Sequence, residues 1–117
     1  MKAFLISPVR GHEPRELEGI VKELESDGWD LHWPMRDTPQ DVSSIEICEA
    51  NTKAISQSDI VFIIWDGKST GSLFDLGVVF ALNKELRVIS APERTDGKSF
   101  QNLMYEMEAA TGKGVQL

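Results

Sequence analysis

The sequence predicts one α/β domain over residues 1–117. It is a flavodoxin-like or Rossmann-like three-layer parallel sheet of strand order 2-1-3-4, with room for a short fifth strand. Three observations predict it. Short apolar runs alternate with helical runs of about 10–15 residues, the pattern of βαβ units. The apolar runs are continuous, as in strands covered on both faces. Right-handed crossovers then make 2-1-3-4 the simplest order.

The elements follow in chain order. Ala3 to Ser7 is a continuous apolar run and reads as the first strand. Pro8 to His12 breaks it. From Pro14 onward, Leu17, Ile20, Val21 and Leu24 recur on one helical face, and Asp27-Gly28 ends that helix. Trp29 to Trp33 reads as a short second strand, and Pro34 to Asp41 as a loop. Ser43 is the N-cap of a second helix, with Glu46 three residues on. Its inner stripe is Ile47, Cys48, Ala54 and Ile55. Asp59 to Trp65 (DIVFIIW) is rich in β-branched and aromatic residues and gives the third strand. Ser69 to Leu82 (STGSLFDLGVVFAL) turns into a third helix, capped at Ser72, with Leu73, Leu76, Gly77, Phe80 and Ala81 inward. Leu86 to Ser90 is the fourth strand. After a loop from Pro92 to Lys98, Phe100, Leu103, Met104 and Met107 mark a fourth helix. Gly112 to Leu117 is the fifth-strand segment.

Composition narrows the partners. The net charge is −7 and the pI about 4.7. Such a field repels nucleic acid polymers and anionic membrane surfaces. A small phosphorylated ligand remains compatible, because a helix N-terminus and one arginine bind it locally. Cys48 is the only cysteine, so no internal disulfide forms, which suits a reducing cytoplasm. The opening MKAFLISPVRG is too short for a signal-peptide core or a membrane span. His12, His32 and Cys48 lack metal-ligand spacing, and neither GxGxxG nor GxxxxGK[ST] occurs. No metal and no cofactor is expected.

In a sheet of this order, ligands bind beyond the carboxyl ends of the strands, where strands 1 and 3 part. The segments there run from Ser7 to His12 and from Trp65 to Ser72, with Pro34 to Asp37 as a third candidate. Asp75 then has two readings. Ser72 and Asp75 fit a Ser-x-x-Asp capping box, with the acid at the helix dipole, worth roughly 0.3–1 kcal/mol; the other reading is a catalytic acid. Asn51 lies on the inner helix face. A buried amide left unpaired costs about 1–3 kcal/mol, so it needs a structural partner or a ligand. Arg10, in the Ser7-Pro8-Val9-Arg10-Gly11 turn, either reaches a phosphate or is a solvated loop arginine. Ser69, Gly71 and Ser72 form an anion seat or a plain polar turn. Asp66 meets sugar hydroxyls or shapes an Asp-Gly turn. Trp65 stacks on a base or belongs to the core.

Several of these pieces together resemble the nucleoside 2-deoxyribosyltransferase superfamily, including its 2'-deoxynucleoside 5'-phosphate N-hydrolase branch. Phe4-Leu-Ile-Ser-Pro8 resembles that family's first strand and turn, and Pro8-Val-Arg-Gly11 its Ser-Ile-Arg-Gly turn. Asn51 to Asp59, followed by Ile-Val-Phe, resembles its second helix and third strand. Gly71-Ser-Leu-Phe-Asp-Leu-Gly77 resembles Gly-Ser/Thr-x-Phe-Glu-Leu-Gly, and Ala81-Leu-Asn-Lys84 resembles Ala-Leu-Gly-Lys. The resemblance covers roughly residues 2–90.

What it implies is N-glycosidic chemistry on a nucleoside or nucleotide, by transfer or hydrolysis. A carboxylate at the Asp75 position attacks the anomeric carbon, and a glycosyl–enzyme forms. Asn51 stands beside it; Ser7, Pro8, Arg10, Gly11, Trp65, Asp66, Ser69, Gly71 and Ser72 stand around the substrate. A four-strand sheet in so short a chain leaves apolar helix surface, notably the Met104/Met107 face, for a second copy to cover, so a homodimer or higher homo-oligomer is expected; the resemblance implies that neighbouring subunits complete the site. Three positions depart from the pattern. Asp75 replaces the usual Glu, Asn51 an acid, and Phe4 a tyrosine. The shorter nucleophile and the two lost polar groups imply weakened catalysis or, as the alternative, a non-catalytic nucleotide-binding or sensing module.

Overall fold

The computed structural model describes residues 1–9 and 15–111. Four parallel strands form one sheet in the order β2-β1-β3-β4. They are β1 (Lys2–Ile6), β2 (Asp30–His32), β3 (Ile60–Ile64) and β4 (Glu85–Ser90). Ala3 of β1 stands between Leu31 and Ile60, which fixes the central register. The predicted order holds. The fifth-strand segment, 112–117, lies outside the described residues.

Strand alternation divides the interior in two. Phe4, Ile6, Val61 and Ile63 point to one face, where they meet Ile55, Leu76, Val79 and Met104. Ala3, Leu5, Ile60 and Phe62 point to the other, where Leu17 and Val21 cover them. The central strands are thus nearly continuous in apolar residues because each of their faces meets a helix layer, whereas the edge strands β2 and β4 carry polar residues.

The helices are α1 (Arg15–Ser26), α2 (Pro34–Asp37), α3 (Ser44–Ser56), α4 (Thr70–Ala81) and α5 (Phe100–Thr111). Helix α1 ends as Asp27-Gly28 predicts. Gly28 takes a φ of +99°, its N–H donates to Glu25 O, and the Trp29 N–H donates to Leu24 O. Those two bonds form a Schellman stop that glycine accommodates without a Cβ penalty. Ser43 caps α3 by accepting from the Glu46 N–H at 3.3 Å.

Three expectations about these elements need correction. The 34–41 stretch is not all loop. Pro34, with its φ preset, starts the one-turn helix α2, and Asp37 reaches back to accept the Trp33 N–H at 2.8 Å. Helix α4 begins at Thr70, with Ser69 rather than Ser72 at the N-cap position and no side-chain cap hydrogen bond. Its inward stripe is Ser72, Asp75, Leu76 and Val79, while Phe80 is 60% exposed. Of the predicted stripe Leu73 and Leu76 do pack inward, whereas Gly77, Phe80 and Ala81 are exposed, because the face turned inward carries two polar residues. Finally, Met104 and Met107 are not left over for a second copy. Both are buried in the core of this chain, as α5 packs beside β4. No helix among the described residues is long and apolar enough to cross a membrane.

Candidate active site

A cleft of about 620 Å³ opens beyond the carboxyl ends of β1 and β3. One wall comes from the segment after β1, with Ser7 and Val9. A second comes from α3, with Ile47, Cys48 and Asn51. The third comes from the β3–α4 loop and the start of α4: Asp66, Lys68, Ser69, Gly71, Ser72 and Asp75. This is the switch point at which such sheets bind ligands.

Asp66 builds the third wall. Its Oδ1 accepts the N–H groups of Lys68 and Ser69, each at 2.8 Å. Gly67, at φ +81°, makes the turn between them. The turn delivers the chain into α4 at Thr70, two residues before Ser72. Ser72 is therefore the third residue of the helix, and its hydroxyl donates to Ser69 Oγ at 3.0 Å. Asp75 becomes the sixth residue, past the first turn. An acid there cannot accept the free N–H groups of a helix start, so the capping-box reading of Asp75 fails.

Asp75 instead sits on the cleft wall, 8% exposed, within reach of Asn51 on the neighbouring helix. Burial pushes its pKa up to about 7; a hydrogen bond from the Asn51 side chain opposes the rise. Asn51 is 7% exposed, and its Oδ1 accepts the Thr38 hydroxyl at 2.7 Å. The buried amide thus meets its requirement for partners. The hydroxyl of Thr38 also stands 2.8 Å from His32 Nε2. The His32 ring lies flat on the Phe4 ring, 5.3 Å between centroids.

The other expected site residues divide. Ser7, Asp66, Ser69, Gly71 and Ser72 line the cleft with Asn51 and Asp75. Ser7 Oγ also accepts the Trp33 indole N–H at 3.1 Å. Pro8 is buried just behind Ser7 and is not on the wall. Trp65 is in the core, edge-on to Phe100, with its indole N–H on Ser69 O at 3.0 Å. It props the loop from beneath rather than facing the cleft. Arg10 and Gly11 lie outside the described residues. Thr38, Gln40, Lys68 and Phe74 were not anticipated. Thr38 and Gln40 come from a loop without periodicity, where no pattern marks an inward side chain. No group of three or more metal-binding side chains occurs among the described residues.

The chemistry available is that of a buried carboxylate beside an amide donor, with hydroxyls and helix N–H groups nearby. Comparison with known proteins bears on the fold and the family. The backbone superposes on the CMP N-glycosidase BcmB of Clostridium botulinum with a TM-score of 0.66, at 18% identity, over 88% of this chain and 80% of that one. It superposes on the 2-desoxiribosyltransferase of Leishmania mexicana with a TM-score of 0.59, at 20% identity, over 80% of this chain and 66% of that one. At those identities the likeness is one of fold. No curated protein matches the chain in sequence. Residues 4–104 match the family model described as nucleoside 2-deoxyribosyltransferase, a stretch that begins in β1, takes in both Asn51 and Asp75, and ends in α5. The chain therefore belongs to the nucleoside 2-deoxyribosyltransferase family, whose chemistry is glycosyl transfer or hydrolysis on nucleosides.

Proposed function

We propose that this protein cleaves or transfers the N-glycosidic bond of a nucleoside or nucleoside monophosphate, with Asp75 as nucleophile. The observation that carries the reading is the position of Asp75: a buried carboxylate on the cleft wall, engaged by Asn51 and released from any capping duty. Its carboxylate attacks the anomeric carbon as the base leaves with the bonding electrons. Water or a second base then releases the sugar from the ester. Asn51 holds the carboxylate by one hydrogen bond. Ser69, Gly71 and Ser72, at the start of α4, seat the 5' end of the substrate, where N–H groups and the helix dipole favour an anion. The likeness in fold to a protein titled CMP N-glycosidase supports a monophosphate as a substrate class to test.

The test is incubation with a panel of nucleosides, deoxynucleosides and their 5'-monophosphates, followed by detection of free base. Release by the wild type and its loss in Asp75→Asn are expected. Binding without release across the panel would sink the enzymatic reading.

The same burial favours a second reading. A carboxyl titrating near 7 is partly protonated at neutral pH, and the protonated form cannot attack. A nucleotide-binding module that no longer turns over fits that state, and the same panel decides between the two.

We also propose a homo-oligomer working in the cytoplasm. Ile45 and Phe74, 68% and 51% exposed, border the cleft region on α3 and α4 and suit cover by a second copy. Light scattering that gives a monomer at micromolar concentration would count against it.

A further inference from the structure

We propose that Thr38 and His32 are positioning residues: through Asn51 they fix which end of its amide faces Asp75. Proton counting sets the constraint. The Asp75 carboxylate, when ionised, only accepts, so the Asn51 side chain must present its NH2 to it. An amide can be turned over with almost no change of shape, and the wrong turn would aim the carbonyl oxygen at the carboxylate. Something must forbid that turn.

Thr38 does so when His32 offers it an N–H, because the hydroxyl then has an acceptor role filled and one proton to give. That proton goes to Asn51 Oδ1 at 2.7 Å. That bond keeps the carbonyl end of the amide on Thr38 and the NH2 end on Asp75. The hydroxyl is itself held in place. The Thr38 N–H donates to Pro34 O at 3.1 Å, at the end of α2, and its carbonyl accepts Gln40 Nε2 at 3.0 Å.

Having spent its proton on Asn51, the hydroxyl can only accept from His32 Nε2, 2.8 Å away. This direction assigns the proton of the neutral imidazole to Nε2. With the proton on Nδ1, the hydroxyl would turn toward the ring and free the Asn51 amide to turn over. The ring has little freedom to avoid this choice, because it lies within 7° of parallel on Phe4, which is fully buried. Burial lowers the His32 pKa; Asp37 raises it and Arg36 lowers it. The lowering favours the neutral ring, the form in which the tautomer matters. One directed chain of donors runs from β2 through the α2 end and α3 to α4: His32, Thr38, Asn51, Asp75.

The role of Asp75 as nucleophile is the earlier reading, and only the kinetic arm of the test depends on it. Thr38→Val keeps the shape and removes the hydroxyl; Thr38→Ser restores it. Two readouts need no substrate. The 13C titration of the Asp75 carboxyl is expected to move up by about half a pH unit or more in Thr38→Val and to return toward wild type in Thr38→Ser. The 15N shifts of His32 at about pH 8.5 are expected to show the Nε2–H tautomer. In the kinetic arm, Thr38→Val is expected to lower kcat about ten-fold with KM nearly unchanged, and Thr38→Ser to recover most of it. An unmoved Asp75 midpoint in folded Thr38→Val, or an Nδ1–H tautomer in the wild type, overturns the proposal. Absence of base release in every variant overturns the nucleophile reading instead, and the two spectroscopic readouts still decide the positioning role.

Discussion

Asn51 on α3 and Asp75 on α4 stand together on the cleft wall, and the Asn51 side chain opposes the rise in pKa that burial imposes on Asp75. This pair joins a carboxyl with a raised pKa to the proposed reaction. Attack requires the ionised form, so base release is expected to rise with pH, with a midpoint near 7, and to level off above it. Asn51→Leu removes the donor, and the midpoint should then move to higher pH. A pH profile of kcat/KM over the range of about 5 to 9 measures both. An Asn51→Leu profile that overlays the wild type would show that this bond does not tune Asp75.

The same shift has a consequence for stability. The raised pKa means that folded Asp75 keeps its proton up to about pH 7, whereas the ordinary value is 3.8. Between those values the folded chain binds more protons than the unfolded one, so this group's contribution to stability falls as pH rises and is least favourable above 7. Asp75→Asn removes the titration and keeps the shape. Its stability advantage over wild type should grow by on the order of 2 kcal/mol between about pH 5 and pH 8. Urea denaturation at the two pH values reads this directly. An advantage that shrinks with rising pH would show that Asp75 is not a buried, neutral-leaning acid.

How much of this was legible in the sequence depends on what each residue's position rests on. The sheet order and the strand faces were readable, because runs such as DIVFIIW follow from burial on both sides. Asn51 was readable as an inward amide, since it falls four residues from both Ile47 and Ile55. The start of α4 was not. Its signal is Asp66, whose side chain organises the turn upstream, and the two serines at 69 and 72 are equally good caps by type. Choosing Ser72 put Asp75 in the first turn and made the cap reading attractive. Thr38 and His32 were out of reach, because their partners lie 13 and 6 residues away in chain positions that no local period relates. Trp65 closes β3 and its indole turns into the core, a choice of face that an aromatic at a strand end does not announce.

Asn83 offers a test confined to stability. It follows α4 with a φ of 53°, the left-handed region, and is the only non-glycine there among the described residues. Asparagine tolerates that geometry where most side chains clash. Asn83→Ala is expected to cost about 1 kcal/mol in urea denaturation, and Asn83→Gly to remain within about 0.5 kcal/mol of wild type. Asn83 is not on the cleft wall, so base release should be unchanged in both. A stable Asn83→Ala would mean that the turn relaxes to another backbone conformation.

Asp66 couples local structure to the site more directly. One carboxylate oxygen holds the N–H groups of Lys68 and Ser69, and so fixes where α4 begins. Asp66→Ala removes both bonds at once. The expected stability loss is on the order of 1–2 kcal/mol, as for loss of a helix-start acceptor. The loop carrying Ser69 and Gly71 then loses its set geometry, while Asp75 stays anchored a full turn further along the helix. Substrate capture should therefore suffer more than the chemical step: KM should rise several-fold, with kcat lowered less. Asp66→Asn keeps an oxygen acceptor at the same reach and should recover most of the stability. Steady-state kinetics beside urea denaturation separates the two effects. If Asp66→Asn recovers the fold but not KM, Asp66 meets the substrate itself in addition to shaping the turn.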